Sequence, residues 1–172
     1  MGASNVIPLL PVEQAEREQR RRNSASPELW TILDTVMDPE IPVISVWELG
    51  VLQDVSLENG IVNVIITPTY SGCPAMTVMA EDIEAALTAA GYNNIDIKTR
   101  LAPAWTTDWL GAEAQEKLRQ YGIAPPSIED EPACPRCGSA AAKRISEFGS
   151  TACKALYQCS DCDELFDHFK HL

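Results

Sequence analysis

VLQDVSLENGIVNVIITP, residues 51 to 68, decides how the first part of this chain folds. Two β-branched runs flank Asn59-Gly60, and a two-residue turn that follows strand twist needs positive φ at both central positions, which Asn and Gly tolerate. The stretch therefore predicts a hairpin. Its second strand leads into TPTYSGCPAM, residues 67 to 76, after which Met76, Met79, Ile83, Leu87 and Ala90 recur at helical spacing with Glu81, Asp82 and Glu84 facing out. Gly91 suits the cap of that helix. IDIKTRL, residues 95 to 101, then alternates as a half-buried strand does. Upstream, Ser26-Pro27 offers a capping hydroxyl and a proline for the first helical position, and Leu29, Ile32, Leu33 and Val36 share one face. That helix is predicted to end near Met37, because Pro39 and Pro42 push Asp38 and Ile41 out of helical conformation. DPEIPVISVWELG becomes a structured loop, and the order helix, hairpin, helix, strand predicts an α+β fold with a small two-layer domain.

Beyond it, AWTTDWLGAEAQEKLRQYG predicts an extra helix over 107 to 121, capped by Thr106 or Thr107, with an apolar stripe of Leu110, Ala114, Leu118 and Tyr121. Gly122 and Pro125-Pro126 stop it, and APPSIEDEP, residues 124 to 132, reads as a linker. Four units result: a mobile N-terminal tail at 1 to 22, the α/β domain at 23 to 123, the linker, and a cysteine-rich unit at 133 to 172. In the tail, VIPLLPV is broken by Pro8 and Pro11 and is no secretory signal core, while Glu13, Glu16 and Glu18 argue against a transit peptide. It is expected to become partly helical on docking to a partner.

The net charge of -12 is concentrated: residues 23 to 130 carry 16 acids against 4 bases. Such a surface repels phosphate backbones, and the near-neutral C-terminal unit has no basic cluster, so nucleic-acid binding is not expected. No stretch approaches the roughly 18 continuous apolar residues of a membrane span, so a soluble protein is expected with no membrane partner.

Five of the six cysteines fall within the last 39 residues. Cys134-Pro-Arg-Cys137 and Cys159-Ser-Asp-Cys162 are two C-x-x-C pairs, each able to wrap two thiolates around one ion from a tight turn. Four thiolates complete a tetrahedral shell for structural zinc; a rubredoxin-like iron site is the rival, since the same ligands suit iron. KRISEF, KALYQC and ELFDHF have strand-like composition, so this unit is expected to be an all-β, three-stranded zinc ribbon that holds its fold through the metal, its core being small. Gly138 follows the first knuckle, as such turns prefer, whereas Asp163 follows the second. Cys153 is surplus to the tetrahedron and reads as a small buried hydrophobe rather than a reactive thiol. His168 and His171 read as solvated tail residues that could substitute as ligands.

Cys73 stands apart. If Pro74 is the first helical residue, Cys73 occupies the N-cap, where unpaired N–H groups and the helix dipole stabilise a thiolate. A buried structural cysteine is the competing reading. The only histidines, His168 and His171, lie outside this domain, so nucleophilic catalysis lacks its base and no catalytic residue is assigned. One thiolate cannot hold an iron-sulfur cluster, which usually takes four cysteines. Either a second Cys73 across a dimer contributes, or the loop holds metal transiently with Asp38 and Glu40.

DPEIPVISVWELGVL, the Asn-Gly hairpin and TYSGCPAM together resemble the small iron-sulfur-assembly domain shared by SufT-like and MIP-type proteins. With the added AWTTDWLGAEAQEKLRQYGIAPP and the CPRCGS…SEFGSTACKALYQC ribbon, residues 27 to 170 are similar to the phenylacetate-degradation protein D family, the D subunits of phenylacetyl-CoA epoxidase. The resemblance implies a cytoplasmic, non-catalytic accessory role in aerobic phenylacetate catabolism. Its expected partners are the oxygenase and reductase components. It associates Cys73, Asp38 and Glu40 with transient iron or iron-sulfur handling, and often with a homodimer. A stoichiometric structural subunit and a rubredoxin-like electron carrier are the alternatives. The sequence departs from the family where it reads FDHFKHL, lacking a further C-terminal cysteine; His171 stands in its place.

Overall fold

A computed structural model describes residues 12 to 127 and 131 to 172. Helices α1 (Val12–Arg22) and α2 (Pro27–Leu33) precede the hairpin of β1 (Leu52–Glu58) and β2 (Ile61–Ile66), closed by Asn59 and Gly60 at φ of 52° and 79°. Helix α3 (Ala75–Ala89) then returns the chain so that β3 (Ile95–Thr99) lies parallel to β2. Val55 pairs with Val64 and Val64 with Ile97, a row of side chains across the three-stranded sheet. On that face Leu29, Leu33, Met79, Ile83 and Leu87 bury themselves with Val55 and Val64 in one core. The predicted element order and the Gly91 cap, at φ 98°, are found.

Helix α2 is shorter than the apolar stripe suggests. It ends at Leu33, because Val36 has turned its carbonyl to the Val46 N–H (2.9 Å) and Met37 bridges Ser45. The structured loop thus takes the backbone groups that a further turn would need. Ser26 supplies no side-chain cap; its carbonyl accepts from Leu29 N (3.2 Å) and its side chain is buried.

Part of the expected mobile tail is ordered against the domain. Residues 1 to 11 lie outside the described residues, but α1 packs its Arg17 into a cleft between two indoles. The guanidinium sits 4.4 Å from the Trp47 ring centroid and 5.6 Å from that of Trp109. It donates to the carbonyls of Trp47 (3.1 Å) and Leu52 (3.2 Å) and is 2% exposed. Arg21 holds Asp34 through two hydrogen bonds of 2.8 and 2.5 Å and stacks near Trp47. Basic residues that look like a solvated run are therefore the helix's anchors.

The extra helix is broken. Thr106 caps a 3-10 turn, η1 (Thr107–Trp109), by accepting from Asp108 N, and Gly111 then starts α4 (Ala112–Tyr121). Trp109, Ala114 and Leu118 are buried, Tyr121 is not, and Gly122 at φ 95° ends α4 as predicted. Thr107 is held elsewhere: its N–H donates to the Leu172 carbonyl at the chain's end (3.2 Å). Gly50, at φ 81°, is required where the chain passes under Trp105 and Trp109, since a Cβ there would lie 3.1 Å from the Trp105 indole nitrogen.

The ribbon has four strands, in the order β4-β7-β6-β5, not three. Strands β5 (Ala142–Ser146), β6 (Lys154–Cys159) and β7 (Leu165–Phe169) are those expected, and β4 (Ile123–Ala124) adds itself parallel to β7. Ala124, placed in the linker by the sequence pattern, is fully buried within this sheet. The ribbon starts before the prolines because the strand leaving Gly122 satisfies its backbone on the edge of β7.

Arg17→Ala should destabilise the protein by about 2–3 kcal/mol, since charge-assisted hydrogen bonds and a desolvated cation–π contact are lost together. Urea unfolding followed by tryptophan fluorescence measures this, with Arg22→Ala as the exposed comparison.

Candidate functional site

The two knuckles are built alike. Gly138 N donates to Cys134 O (2.8 Å) and Asp163 N to Cys159 O (3.1 Å), while Cys134 N and Cys159 N donate to Ser139 O and Glu164 O. Gly138 and Asp163 hold φ of 77° and 58°, so Asp163 adopts the left-handed turn that glycine fills in the first knuckle. Ser139 Oγ bonds Asp161 across the pair at 2.5 Å. The result brings Cys134, Cys137, Cys159 and Cys162 to ligand atoms within 4.8 Å of one another.

Cys134 and Cys162 sulfurs stand 3.8 Å apart, and those of Cys137 and Cys159 3.6 Å. A zinc–sulfur bond of about 2.3 Å in a tetrahedron requires an edge near 3.8 Å, so the four residues fit zinc. The Asp161 backbone N–H pulls the Cys159 thiol down to about 7. Against a pull from the Glu164 N–H, desolvation and the neighbouring sulfurs push Cys162 up to about 12. Four thiols this close do not ionise together without a cation between them. Neither histidine belongs to this cluster: His171 lies 3.7 Å from Asp108, and His168, read as solvated, is fully buried edge-on to Tyr157.

Cys73 lies in the loop between β2 and α3. The cap position falls on Pro74, one residue later than expected, with Ala75 the first helical residue. Cys73 lines a small cavity, and its N–H donates to the Tyr70 carbonyl (3.1 Å). Asp38 and Glu40 line the same cavity, so the structure brings together the three residues singled out from the sequence. Asp38 Oδ1 accepts from Glu40 N (2.9 Å) and Ile41 N (2.7 Å), which fixes the loop. Burial raises its pKa, against those two bonds and the nearby Lys154. Glu40 is raised too, first by desolvation, while Lys154 and a Thr151 hydrogen bond work the other way.

Sequence reasoning missed the ribbon's share of this cavity. Cys153, 7% exposed, lines it beside Cys73, and its core neighbours include residues of the α/β unit. Thr151 Oγ1 is 3.1 Å from Cys153 Sγ, and Lys154, 2% exposed, lies behind them with Asp167 at 3.9 Å. The odd cysteine left over from the knuckles was the one available signal.

Residues 27–97 match the family model of the iron-sulfur cluster assembly protein, and residues 124–170 that of the PaaD zinc beta ribbon domain. The chain is thus an iron-sulfur-assembly-type α/β domain carrying a zinc ribbon. It is 45% identical over 150 residues, 83% of this chain and 91% of the relative, to an Escherichia coli (strain K12) protein named as the D component of 1,2-phenylacetyl-CoA epoxidase. The chain belongs to that family of epoxidase components. An Fe-S protein maturation auxiliary factor of Porphyromonas gingivalis is 35% identical over 89 residues, 51% of this chain and 84% of that protein. Among solved structures, a domain of unknown function from Bacillus anthracis covers 60% of this chain and 95% of its own, at 23% identity and a TM-score of 0.49. Among the described residues no helix is long and apolar enough to cross a membrane.

Cys159→Ala should abolish stoichiometric zinc and unfold the ribbon, because structural zinc supplies on the order of 10 kcal/mol to such units. Metal analysis and hydrogen exchange in β5 to β7 read both effects.

Proposed function

We propose that this chain is a cytoplasmic, non-catalytic accessory subunit of the phenylacetyl-CoA epoxidase system that assists iron or iron-sulfur assembly in its reductase or di-iron component. The observation that carries this reading is the Cys73 cavity: a thiol on the helix-entry loop faces two carboxylates, Asp38 and Glu40. Likeness to Fe-S protein maturation auxiliary factors over the α/β unit supports it. The chemistry of the pair also supports it, since a thiolate beside carboxylates holds a borderline divalent ion and releases it. Zinc at Cys134, Cys137, Cys159 and Cys162 is structural, its shell being closed by four protein ligands. No side chain is given a catalytic role, because among the described residues no histidine lines the Cys73 cavity.

A second reading, a stoichiometric structural subunit, is favoured by one observation. The ribbon exposes Ile145, Phe148 and Leu165, large apolar groups available to a partner. Equal stoichiometry with the oxygenase after size exclusion would select it.

In cells carrying Cys73→Ser, epoxidase activity should fall at least about 10-fold, with iron in the reductase or di-iron component falling in parallel. Purified components with full iron content and activity from those cells would reject the assembly role.

A further inference from the structure

Strand β3 is the outer strand of the three-stranded sheet, whose order is β1-β2-β3. Its bonds to β2 fix which of its backbone groups are used. Val62 N donates to Asn94 O (2.8 Å) and Arg100 N donates to Ile66 O (2.8 Å), and the parallel register between them pairs Val64 with Ile97. Bonding residues alternate along a parallel ladder, so residues 94, 96, 98 and 100 face β2. The N–H and C=O groups of Ile95, Ile97 and Thr99 therefore point away from the sheet.

The side chains of the same residues turn toward α3. Ile95 and Ile97 form, with Met76 and Ala80, the floor of an open groove of about 440 Å³, and all four are half-buried. Glu81 and Glu84, exposed on α3, stand in its wall, and no basic residue is among the described residues that line it. Sheets commonly blunt a free edge with a proline, a bulge, a charge or a covering segment. β3 has no proline, and its pairing with β2 runs without a register shift. Its lysine, Lys98, alternates to the face away from the groove and pairs there with Asp96 at 2.8 Å. Among the described helices and strands, only β2 and α3 pack on it.

We propose that the β3 edge and the α3 groove form a docking site for an extended segment of a partner polypeptide, which adds a fourth strand beyond β3. The segment turns alternate side chains into the groove, apolar ones over Ile95 and Ile97 and a Lys or Arg toward Glu81 and Glu84. Bonds to the outward backbone of Ile95, Ile97 and Thr99 supply affinity, while the groove selects the side chains. β3 is five residues long, so a segment of about six residues, at ~3.3 Å each, fills the site. Charge decides against a second copy of this chain. Two β3 edges joined about a twofold axis bring Glu81 and Glu84 toward their own counterparts, in a unit where residues 23 to 130 hold 16 acids against 4 bases. The chain's own VIPLLPV is no better suited. Pro8 and Pro11 have opposite parity, so every register turns one residue without an N–H toward β3. The proposal does not depend on metal handling at Cys73.

The test selects a phage-displayed library of random linear dodecapeptides on the zinc-loaded full chain and synthesises the best binder. Selection should enrich β-branched or aromatic residues at alternate positions, with a Lys or Arg in step with them. Amide exchange followed by NMR should show the N–H groups of Ile95, Ile97 and Thr99 exchanging readily in the free protein and at least ~10-fold more slowly with peptide bound. Glu81→Lys with Glu84→Lys, both exposed on α3, should weaken that peptide at least about 10-fold and strengthen its charge-reversed version, with Tm unchanged. A library that yields no binder, a binder that protects no β3 amide, or equal affinity for the charge-reversed protein overturns the proposal. So does protection of these amides in the free protein. Protection that grows with protein concentration assigns the edge to a second copy, and protection independent of concentration assigns it to the chain itself.

Discussion

Phe169 packs on Trp105 across the boundary between the ribbon and the α/β unit, with ring centroids 5.9 Å apart. Trp105 in turn donates its indole N–H to the Leu49 carbonyl at 2.9 Å, and so holds the turn at Gly50 that launches β1. Burying one such aromatic contributes on the order of 2 kcal/mol, with about 1 kcal/mol more from the ring pair. Its larger effect is geometric. Leu49, Val51 and Phe169 are walls of the cavity that contains Cys73, so the contact that seats the ribbon also shapes the candidate site. The β4 pairing with β7 and the Thr107 bond to Leu172 keep the two units in that relation.

The molecule then separates two kinds of cysteine chemistry. The knuckle thiols surround a closed tetrahedron, where every coordination position is a protein sulfur and no position is left open for exchange. Cys73 and Cys153 instead line a small cavity together with Asp38 and Glu40. The ribbon that the knuckles fold also brings Cys153 to the wall of the Cys73 cavity.

Much of this was legible locally. Asn59-Gly60, the α3 stripe, the two C-x-x-C pairs and the Gly122 cap each depend on residues within one turn or one helical repeat. Asp163 was the instructive knuckle position: its identity argued against the turn, yet hydrogen bonds from both sides of the knuckle hold it at φ 58°. Arg17 was misleading for the opposite reason. In a run of bases it looks solvated, and only the indoles of Trp47 and Trp109, 30 and 92 residues away in sequence, make its burial favourable.

The sequence by itself determined the α+β order and the four knuckle thiols, because hairpin, helix and knuckle signals act over short spans, whereas the association of Cys73 with Asp38 and Glu40 came from the family resemblance. Only the tertiary structure decided that α1 is anchored, that β4 joins the ribbon, that His168 is buried and that Cys153 lines the same cavity as Cys73. Each of those depends on which surfaces of distant segments come to cover one another. No periodicity or spacing encodes such pairings; the packing of Phe169, Trp105 and their neighbours does.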